Sequence, residues 1–487
     1  QSVEAFLTQG GDDRSLISVE TGTNKYHIMP RPIASDAIFR GSCTCNAPTE
    51  RGYQAASRLY QEKIEPSTNI DFTLKEIFQN QRERIAACLE LPEGTEVVLC
   101  PSGSDAEYIP IVIARQLLQN PSKRLINYIT QLKEIGAGSN IASGGLYFST
   151  HAPLTGRLNE DDAKQGLVGF TNLEEISIPA RKSNGNVVNG SKTVADMIAA
   201  SEDSYTLIHG VFGGKTGLRD DVMPGSASDQ MGIIDACQGR FSLEELHGWL
   251  ANESVVLFTG SKFYQAPPFC GAVFIPKNMA QQLFTLPAPE PRQMFESLSG
   301  FVTDKELSPC LSSWIPLLQD PNRNNVGLAL RWEAGLVGME ALSNTPDHKR
   351  IAAVEAWAQQ VTAMVQAEPE LNAWCIERSI ISIRLKADGG WRSMSELRDI
   401  YRLMSMDLSS VYLPASQDEK EALAIAVNLG QPVDVADSHA ILRIALGSES
   451  LASFIDNPSA TLAEDQTAVK KLATVAKYYD DIVESGI

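Results

Sequence analysis

The feature that most constrains this sequence is a regular alternation of short apolar runs with segments of helical periodicity, from about residue 73 to residue 277. Such an alternation predicts strands and helices that build an α/β domain around a largely parallel sheet. Residues 149–192 interrupt the pattern and predict an excursion that contains a hairpin. The predicted strands are 96–100, 125–129, 205–209, 232–235, 255–258 and 271–275.

The pattern changes after this region and divides the chain into parts. The proline-rich stretch LPAPEPRQ, residues 286–293, predicts a linker. Long amphipathic helices follow it, and then strands and helices in mixed order, ending in a helix at about 463–484. We therefore predict an N-terminal segment that packs on both domains (1–72), a large domain (73–290), and a linker helix with a smaller α+β domain (291–487).

Composition and charge exclude several classes of protein. The chain has 487 residues, of which 43% are hydrophobic and 21% are charged, and this balance is typical of a soluble globular protein. Its longest apolar runs are too short to cross a membrane. Because 41 basic residues face 60 acidic ones, the net charge is -19, which repels nucleic acid and anionic membranes. We expect neither as a partner.

The eight cysteines are spread over the whole chain, and several lie in apolar runs such as EVVLC. This distribution predicts free buried thiols, which are typical of the reducing cytoplasm, and the amino-terminal residues show no secretory signal. We therefore expect a cytoplasmic protein. Cys43 and Cys45 lack the CxxC spacing of zinc sites, and the six histidines form no HExxH or HxH group. No metal site is expected.

Three predicted strand ends carry residues that suit one ligand. One strand ends at Asp235, and the next ends at Thr259 with Lys262 just beyond it. Because the carboxyl ends of parallel strands meet at one edge of a sheet, a single pocket can hold the carboxylate and the amine. Upstream, in PSGSDAE, Ser104 and Glu107 predict a capping box, and the free amides of this helix start predict an anion site.

An anion site, a buried carboxylate and an amine together fit a cofactor that has a phosphate, a basic ring nitrogen and an aldehyde. Pyridoxal phosphate is that cofactor. Asp235 would keep the ring nitrogen protonated, while Lys262 would bond to the aldehyde as a Schiff base and later move a proton. Bonding to the aldehyde also removes the cost of burying a charged ammonium. Asp235 and Lys262 are therefore the predicted catalytic residues.

The motifs SGSDAE (102–107), DACQ (235–238) and TGSK (259–262) occur in the order found in a known family. The sequence resembles fold type I pyridoxal-phosphate enzymes, nearest the branch of class V aminotransferases and cysteine desulfurases. The resemblance covers most of residues 73–277. It implies an aspartate-aminotransferase-like fold, with a three-layer αβα large domain and a smaller C-terminal domain.

The resemblance also implies roles for individual residues. Gln238 would hydrogen-bond the ring hydroxyl, while Ser104 and the amide of Asp105 would hold the phosphate. His209 matches a strand end that lies beside the cofactor in relatives. The implied cofactor-binding residues are Ser102, Gly103, Ser104, Asp105, His209, Asp235, Gln238, Thr259, Ser261 and Lys262.

The sequence departs from the branch at two places. Ser261 stands where the branch usually has histidine before the lysine, and EIGAGSN, residues 134–140, replaces its EHHAN-like segment. The residue that stacks on the ring is therefore unassigned. The stretch HGVFGGKTG is one glycine short of a phosphate-binding P-loop, because His209 occupies the position that needs it. A nucleotide-binding protein and a catalytically inactive scaffold are remote alternatives.

The type of reaction is less directly indicated. An amino-acid substrate needs a cation for its carboxylate, and Arg443 in HAILRIAL is the first candidate, followed by Arg384 in SIRL. Residues 384–487 contain no cysteine, which disfavours persulfide transfer. We expect an aminotransferase acting on an amino acid or amine. The alternatives are a lyase that eliminates at Cβ, of the carbon–sulfur type, and a decarboxylase.

The resemblance further implies a homodimer. In relatives the active site lies at the subunit interface, and a loop of the partner reaches the phosphate. Residues 320–327, DPNRNNVG, precede a long predicted helix and are where that loop would fall.

Overall fold

The protein is described by a computed structural model that covers residues 2–43, 45–158, 166–199, 204–435 and 440–486. Its strands are β1 Ile38–Arg40, β2 Glu96–Cys100, β3 Arg124–Leu132, β4 His151–Ala152, β5 Gly156–Arg157, β6 Leu173–Pro179, β7 Ser204–Val211, β8 Gln230–Asp235, β9 Val255–Thr259, β10 Gly271–Ile275, β11 Leu371–Glu377, β12 Ile380–Ala387, β13 Gly390–Trp391, β14 Val427–Asp434 and β15 Ala440–Ala445. Its α-helices are α1 Val3–Leu7, α2 Glu50–Leu59, α3 Ile70–Cys88, α4 Gly103–Ala106, α5 Tyr108–Leu118, α6 Ser139–Ser143, α7 Gly190–Ala199, α8 Leu243–Ala251, α9 Lys277–Thr285, α10 Gln293–Leu298, α11 Ile315–Leu318, α12 Val326–Ser343, α13 Asp347–Ala367, α14 Met394–Met404, α15 Gln417–Ala424, α16 Ser448–Asp456, α17 Pro458–Lys477 and α18 Tyr479–Glu484.

The large domain is built on a seven-stranded sheet in the order β2-β10-β9-β8-β7-β3-β6. Neighbours from β9 to β6 are parallel, and β10 alone runs antiparallel to its two neighbours. Successive residues of a strand point to opposite faces, so Val256 and Phe258 join one core cluster while Val255 and Leu257 join another. Both faces are therefore covered, and the mostly parallel α/β architecture expected from the sequence is confirmed.

All six predicted strands of this sheet are present. The sequence did not predict β6, which pairs with β3 at the edge of the sheet. Its central residues are only half-buried, and Glu174 and Glu175 give it a polar start, so the apolar pattern of the other strands is missing. The expected hairpin is present just after β6, where Arg181 and Val187 form an antiparallel bridge.

The small domain contains a mixed sheet in the order β1-β14-β15-β12-β11, with β13 beside β12. Only β1 is parallel to its neighbour, so a strand from the N-terminal segment completes a sheet built from the last third of the chain. The same segment contacts the large domain, because the Asn46 side chain donates to the Ser261 carbonyl at 2.6 Å. The expected final helix is divided into α17 and α18 at Tyr478.

The chain between the linker and α12 returns to the large domain. Met294, Phe295, Leu298 and Trp314 are buried in the same cluster as the large-domain residue Val98. The large domain therefore draws part of its core from residues that follow the predicted linker.

Two buried arginines join the parts of the chain. Arg331 of α12 donates to the carbonyls of Leu7, Gln9 and Gly10, and so holds the N-terminal segment against the large domain. Arg240, which follows β8, donates to the Ser42 hydroxyl at 2.8 Å and to acceptors of the small domain. Buried guanidinium groups are stable only when their donors are used in this way.

Among the described helices, none combines the length and the apolar character needed to cross a membrane. All eight cysteines lie in the described ranges and none forms a disulfide. Six of them are buried, as the sequence predicted.

A buried ion pair between the N-terminal segment and α17 gives a test of this packing. Arg40 of β1 donates to Asp465 at 2.5 Å and to Glu464 at 2.9 Å, and the other oxygen of Asp465 accepts from the Trp357 indole at 2.9 Å. The Asp465 side chain is fully buried, whereas Glu464 is 56% exposed. Arg40 is thus paired once in the core and once at the surface.

We expect Asp465→Ala to lower the free energy of unfolding by about 3–5 kcal/mol, because it leaves a buried guanidinium without its carboxylate. The matched control Glu464→Ala should cost less than about 1 kcal/mol, since an exposed ion pair contributes little. Urea denaturation followed by circular dichroism measures both. Equal losses for the two variants would contradict the assignment of Asp465 as the main partner of Arg40.

Candidate active site

The carboxyl ends of β2, β8 and β9 meet at one edge of the large sheet. They open into a cavity of about 400 Å³ between the large domain, the small domain and the N-terminal segment. Asp235 and Lys262 both line this cavity, so the structure brings the two predicted catalytic residues together. The other predicted residues that line it are Ser102, Gly103, Ser104, Gln238, Thr259 and Ser261.

Direct contacts fix the three strand ends relative to one another. The backbone N–H of Cys237 donates to the Asp235 carboxylate at 2.9 Å, and the Thr259 hydroxyl donates to the Cys237 carbonyl at 2.7 Å. A Cβ on Gly103 would lie 2.7 Å from the Cys237 sulfur and 2.9 Å from a Thr259 methyl. Only glycine therefore allows the turn after β2 to approach the ends of β8 and β9 this closely.

The turn after β2 differs from the predicted capping box. Ser102, and not Ser104, is the N-cap of α4, because its hydroxyl accepts the backbone N–H of Asp105 at 3.1 Å and donates to the Asp105 carboxylate at 2.6 Å. The helix therefore begins two residues earlier than the S-x-x-E pattern indicated. It is interrupted at Glu107, since Pro110 lacks the N–H that would bond to the Ala106 carbonyl.

Asp105 lies behind this turn and is not among the residues that line the cavity. Its N–H, expected to hold a phosphate, is donated to Ser102. Burial raises the pKa of the Asp105 carboxyl to about 7, and the nearby carboxylate of Asp12 adds to this shift. The Arg14 guanidinium, paired with Asp12 at 2.8 Å, reaches the Ser102 hydroxyl at 3.4 Å and brings a positive charge to the turn.

His209 is fully buried and is likewise absent from the cavity lining. Its Nδ1 lies 3.4 Å from a carboxylate oxygen of Glu107, which is also buried. Burial lowers the pKa of His209 to about 4, against an opposing effect of Asp235. Burial, together with Asp235, raises the pKa of Glu107 well above its usual value. Burial therefore keeps the His209 imidazole neutral near pH 7 and favours the neutral form of Glu107, and both side chains lie close to Asp235.

The side chains of Glu107, His209 and Asp235 place one potential ligand atom each within 4.8 Å of one another. Within the described ranges this is the group whose geometry would suit a metal ion, although the sequence predicted no metal site. We interpret Glu107 and His209 as a buried pair next to Asp235 whose side-chain polar atoms have no hydrogen-bond partner among the described residues.

Neither arginine predicted to bind the substrate lines the cavity. Arg443 is fully buried, and its terminal nitrogens donate to the carbonyl of Lys215 at 3.0 Å and to the carbonyl and side chain of Gln431 at 2.8 and 2.6 Å. Arg384 instead stacks on Trp391, 4.1 Å from the ring centre. These two guanidinium groups are therefore not positioned to contact a substrate in the cavity directly.

Several residues that the sequence did not predict do line the cavity. Two of them are the residues that Arg443 holds, Lys215 and Gln431. The sequence signal that could have identified Lys215 is its position just after the end of β7. The lining residues of the N-terminal segment, and the aromatic residues Phe148 and Phe269, follow no local sequence pattern that predicts a place in the cavity. The additional lining residues include Arg14, Lys25, Tyr26, Cys43, Cys45, Phe148 and Phe269.

The near miss for a P-loop does not form a phosphate cradle. The N–H of Lys215 donates to the Glu134 carbonyl at 2.7 Å, and the N–H of Thr216 donates to the Glu134 carboxylate at 2.8 Å. The N–H groups of Gly214 and Gly217 are donated to carbonyls within the loop. The protein's own carboxylate thus occupies the place of an anion, which argues against the nucleotide-binding alternative.

No protein-family model and no curated protein sequence matches the chain. Among solved structures, the cysteine desulfurase CsdA (S-sulfonic acid) from Escherichia coli is 14% identical, with a TM-score of 0.52 over 88% of this chain and 96% of that chain. The glutamate decarboxylase domain of a diaminobutyrate-pyruvate transaminase and L-2,4-diaminobutyrate decarboxylase from Vibrio parahaemolyticus is 13% identical, with a TM-score of 0.51 over 91% and 81%. The chain therefore has the aspartate-aminotransferase-like fold of fold type I pyridoxal-phosphate enzymes, which confirms the predicted resemblance.

The buried His209 gives a pH-dependent test of the site. Because its pKa is about 4 in the folded protein and near 6.5 when exposed, the unfolded chain binds the proton first as the pH falls. Wild type should therefore lose about 2 kcal/mol more stability between pH 7 and pH 5 than His209→Asn. Urea denaturation at the two pH values measures this, with His348→Asn, at an exposed position, as the baseline for removing a histidine.

Two outcomes would contradict this interpretation of the pair. One is an equal pH dependence in wild type and His209→Asn. The other is a change in stability on adding EDTA or Zn²⁺, which would indicate that Glu107, His209 and Asp235 hold a metal ion.

Proposed function

We propose that this protein is a pyridoxal-phosphate-dependent enzyme that acts on an amino acid, and that it is an aminotransferase. The observation that carries the proposal is the shared cavity, in which Asp235, Lys262 and the serine turn at residues 102–104 come together. The fold supports it, since the similar solved structures are a cysteine desulfurase and a decarboxylase domain.

The donors that line the cavity fit this cofactor. The Ser104 hydroxyl, with Arg14 beside the turn, would hold the phosphate, while the Ser102 hydroxyl is used within the turn by Asp105. The Asp235 carboxylate, held by the Cys237 N–H, would accept the protonated ring nitrogen. Gln238 would contact the ring hydroxyl, and its amide is oriented by the buried Arg240, which donates to its side-chain oxygen at 3.0 Å.

Pyridoxal phosphate, when bound, withdraws electrons from Cα of the substrate. The Lys262 amine would hold the aldehyde end of the cofactor. With a substrate in the cavity, the same amine would accept the proton that leaves Cα and would serve as the group that moves it. Its backbone is fixed for this role, because the Asn46 side chain donates to the carbonyls of Ser261 and Lys262 at 2.6 and 3.1 Å.

The cysteines of the cavity bear on a rival reaction. Cys43, Cys45 and Cys237 line it, and all three precede the C-terminal residues 384–487, which contain no cysteine. Burial raises the pKa of Cys45 to about 12 and that of Cys237 well above its usual value. Because the thiolate is the nucleophile, the raised pKa values of Cys45 and Cys237 disfavour persulfide transfer by these two thiols. Elimination at Cβ remains the second candidate, and decarboxylation, the activity named for one similar structure, the third.

A homodimer in the cytoplasm is also part of the proposal. The loop expected to reach the partner, residues 320–327, is held in place by Lys305, whose amine donates to the carbonyls of Asp320 and Arg323 at 3.1 Å each. Asn325 caps α12 at the end of this loop. An ordered loop of this kind is suited to contact a second subunit.

We expect the protein reconstituted with pyridoxal phosphate to be yellow and to carry the cofactor covalently on Lys262 after borohydride reduction. Peptide mass spectrometry should locate the added mass on the peptide that contains Lys262. The variant Lys262→Ala should give no labelled peptide, while the control Lys277→Ala, at an exposed lysine of α9, should be labelled like wild type. A protein that takes up no cofactor would refute the proposed function.

The type of reaction can be tested with a screen of L-amino acids. An aminotransferase should turn over only when a 2-oxo acid acceptor is present, because the amino group must leave the cofactor before the next cycle. Release of pyruvate and ammonia without an acceptor would indicate a lyase instead, and release of carbon dioxide would indicate a decarboxylase. Lys262→Ala serves as the control for reactions that do not involve the site.

A further inference from the structure

We propose that Lys215 and Gln431 form the subsite for the substrate's carboxylate, and that Arg443 is a positioning residue behind them. The inference rests on the proposed function for the identity of the substrate as an amino acid. It replaces the sequence-based expectation that an arginine contacts the carboxylate, and it gives the glycine-rich loop after β7 a function.

Lys215 is presented to the cavity from a loop that is firmly held. Its backbone N–H donates to the Glu134 carbonyl at 2.7 Å, and the next residue, Thr216, donates its N–H and its hydroxyl to the Glu134 carboxylate at 2.8 Å each. Glu134 itself is buried and lies 3.3 Å from the Arg181 guanidinium. The Lys215 ammonium donates to the Lys133 carbonyl at 2.9 Å, and an ammonium has three donors.

Arg443 connects the two lining residues from behind the cavity wall. It is fully buried and donates to the carbonyl of Lys215 in the large domain and to Gln431 in the small domain. One of its terminal nitrogens also donates to the Gln431 side-chain oxygen at 2.6 Å. Because that oxygen accepts from a guanidinium, the NH₂ group of Gln431 is the part left to act toward a ligand.

The charges around Lys215 favour an anion. Arg443 and Lys262 are close enough to act on its ammonium electrostatically, and Glu134 is the acidic group that opposes them. Glu134 also pairs with the Arg181 guanidinium at 3.3 Å, so its charge is shared between Lys215 and a second cation. A carboxylate beside Lys215 would gain a charge-assisted hydrogen bond, and the Gln431 amide would supply a second donor.

The chemical class of the substrate follows from this arrangement. A compound with both an amino group for the cofactor and a carboxylate for Lys215 fits the cavity, and that is an α-amino acid. A simple amine would leave the ammonium of Lys215 without an anion.

Propionate is a suitable probe, because it has the carboxylate and lacks the amino group. We would titrate it by calorimetry into the full-length protein without cofactor, and by absorbance into the protein loaded with pyridoxal phosphate. Lys215→Met should weaken propionate binding at least about 10-fold, as expected for loss of a hydrogen bond to a charged group. Lys215→Arg should remain within about 3-fold of wild type, and the neighbouring exposed lysine, changed in Lys133→Met, should have no effect.

A pH profile gives a second measure. Burial, with the charge of Arg443, lowers the pKa of Lys215 to about 8, while Glu134 opposes this shift and Lys262 adds to it. Since the ammonium binds the anion only when protonated, propionate binding by wild type should weaken as the pH rises through about 8. Lys215→Arg should lose this pH dependence, because a guanidinium stays charged.

The outcomes separate this inference from the proposed function. Failure of every variant to take up cofactor would refute the proposed function, and the calorimetry would still decide the carboxylate subsite. Wild type that does not bind propionate, or Lys215→Met that binds it as tightly as wild type, would overturn the inference even in a protein that binds the cofactor normally.

Discussion

Guanidinium groups buried against neutral oxygens determine both the architecture and the electrostatics of this protein. Arg240, Arg331 and Arg443 donate to carbonyls, hydroxyls and amides, and each one connects two of the three parts of the chain. Burial lowers the pKa of Arg240 and Arg331 to about 10, so both remain charged at neutral pH. Although the net charge of the chain is -19, four basic side chains line one cavity, those of Arg14, Lys25, Lys215 and Lys262. Anionic groups of a cofactor and a substrate would balance that charge.

Burial also determines the charge of the groups that surround Asp235, another residue that lines the cavity. Burial disfavours the charged forms of its buried neighbours Glu107 and His209, so neither of them offers Asp235 a positive partner near pH 7. Lys262 lines the same cavity as Asp235, and a protonated ring nitrogen of the cofactor would lie there as well.

The sequence predicted the large sheet and its strand-end residues because those signals are local. Alternating apolar runs located the strands, and the rule that parallel strand ends share an edge placed Asp235 near Lys262. The residues that reach the cavity from elsewhere, such as Arg14 and Gln431, follow no such rule, since their positions depend on how distant parts of the chain pack. Arg443 was predicted to bind the substrate carboxylate, but its donors are used by the carbonyls of Lys215 and Gln431, which no sequence pattern reveals.

The parallel pairing of β1 with β14 has a consequence for biosynthesis. Residues 38–40 bond to residues 427–429, so about four fifths of the chain separates these two paired strands. As the chain emerges from the ribosome, the large domain can form while β1, a strand of the small-domain sheet, still has no partner strand. The small sheet can close only after residues 427–445 have been synthesised, and β1 remains exposed to chaperones and proteases until then.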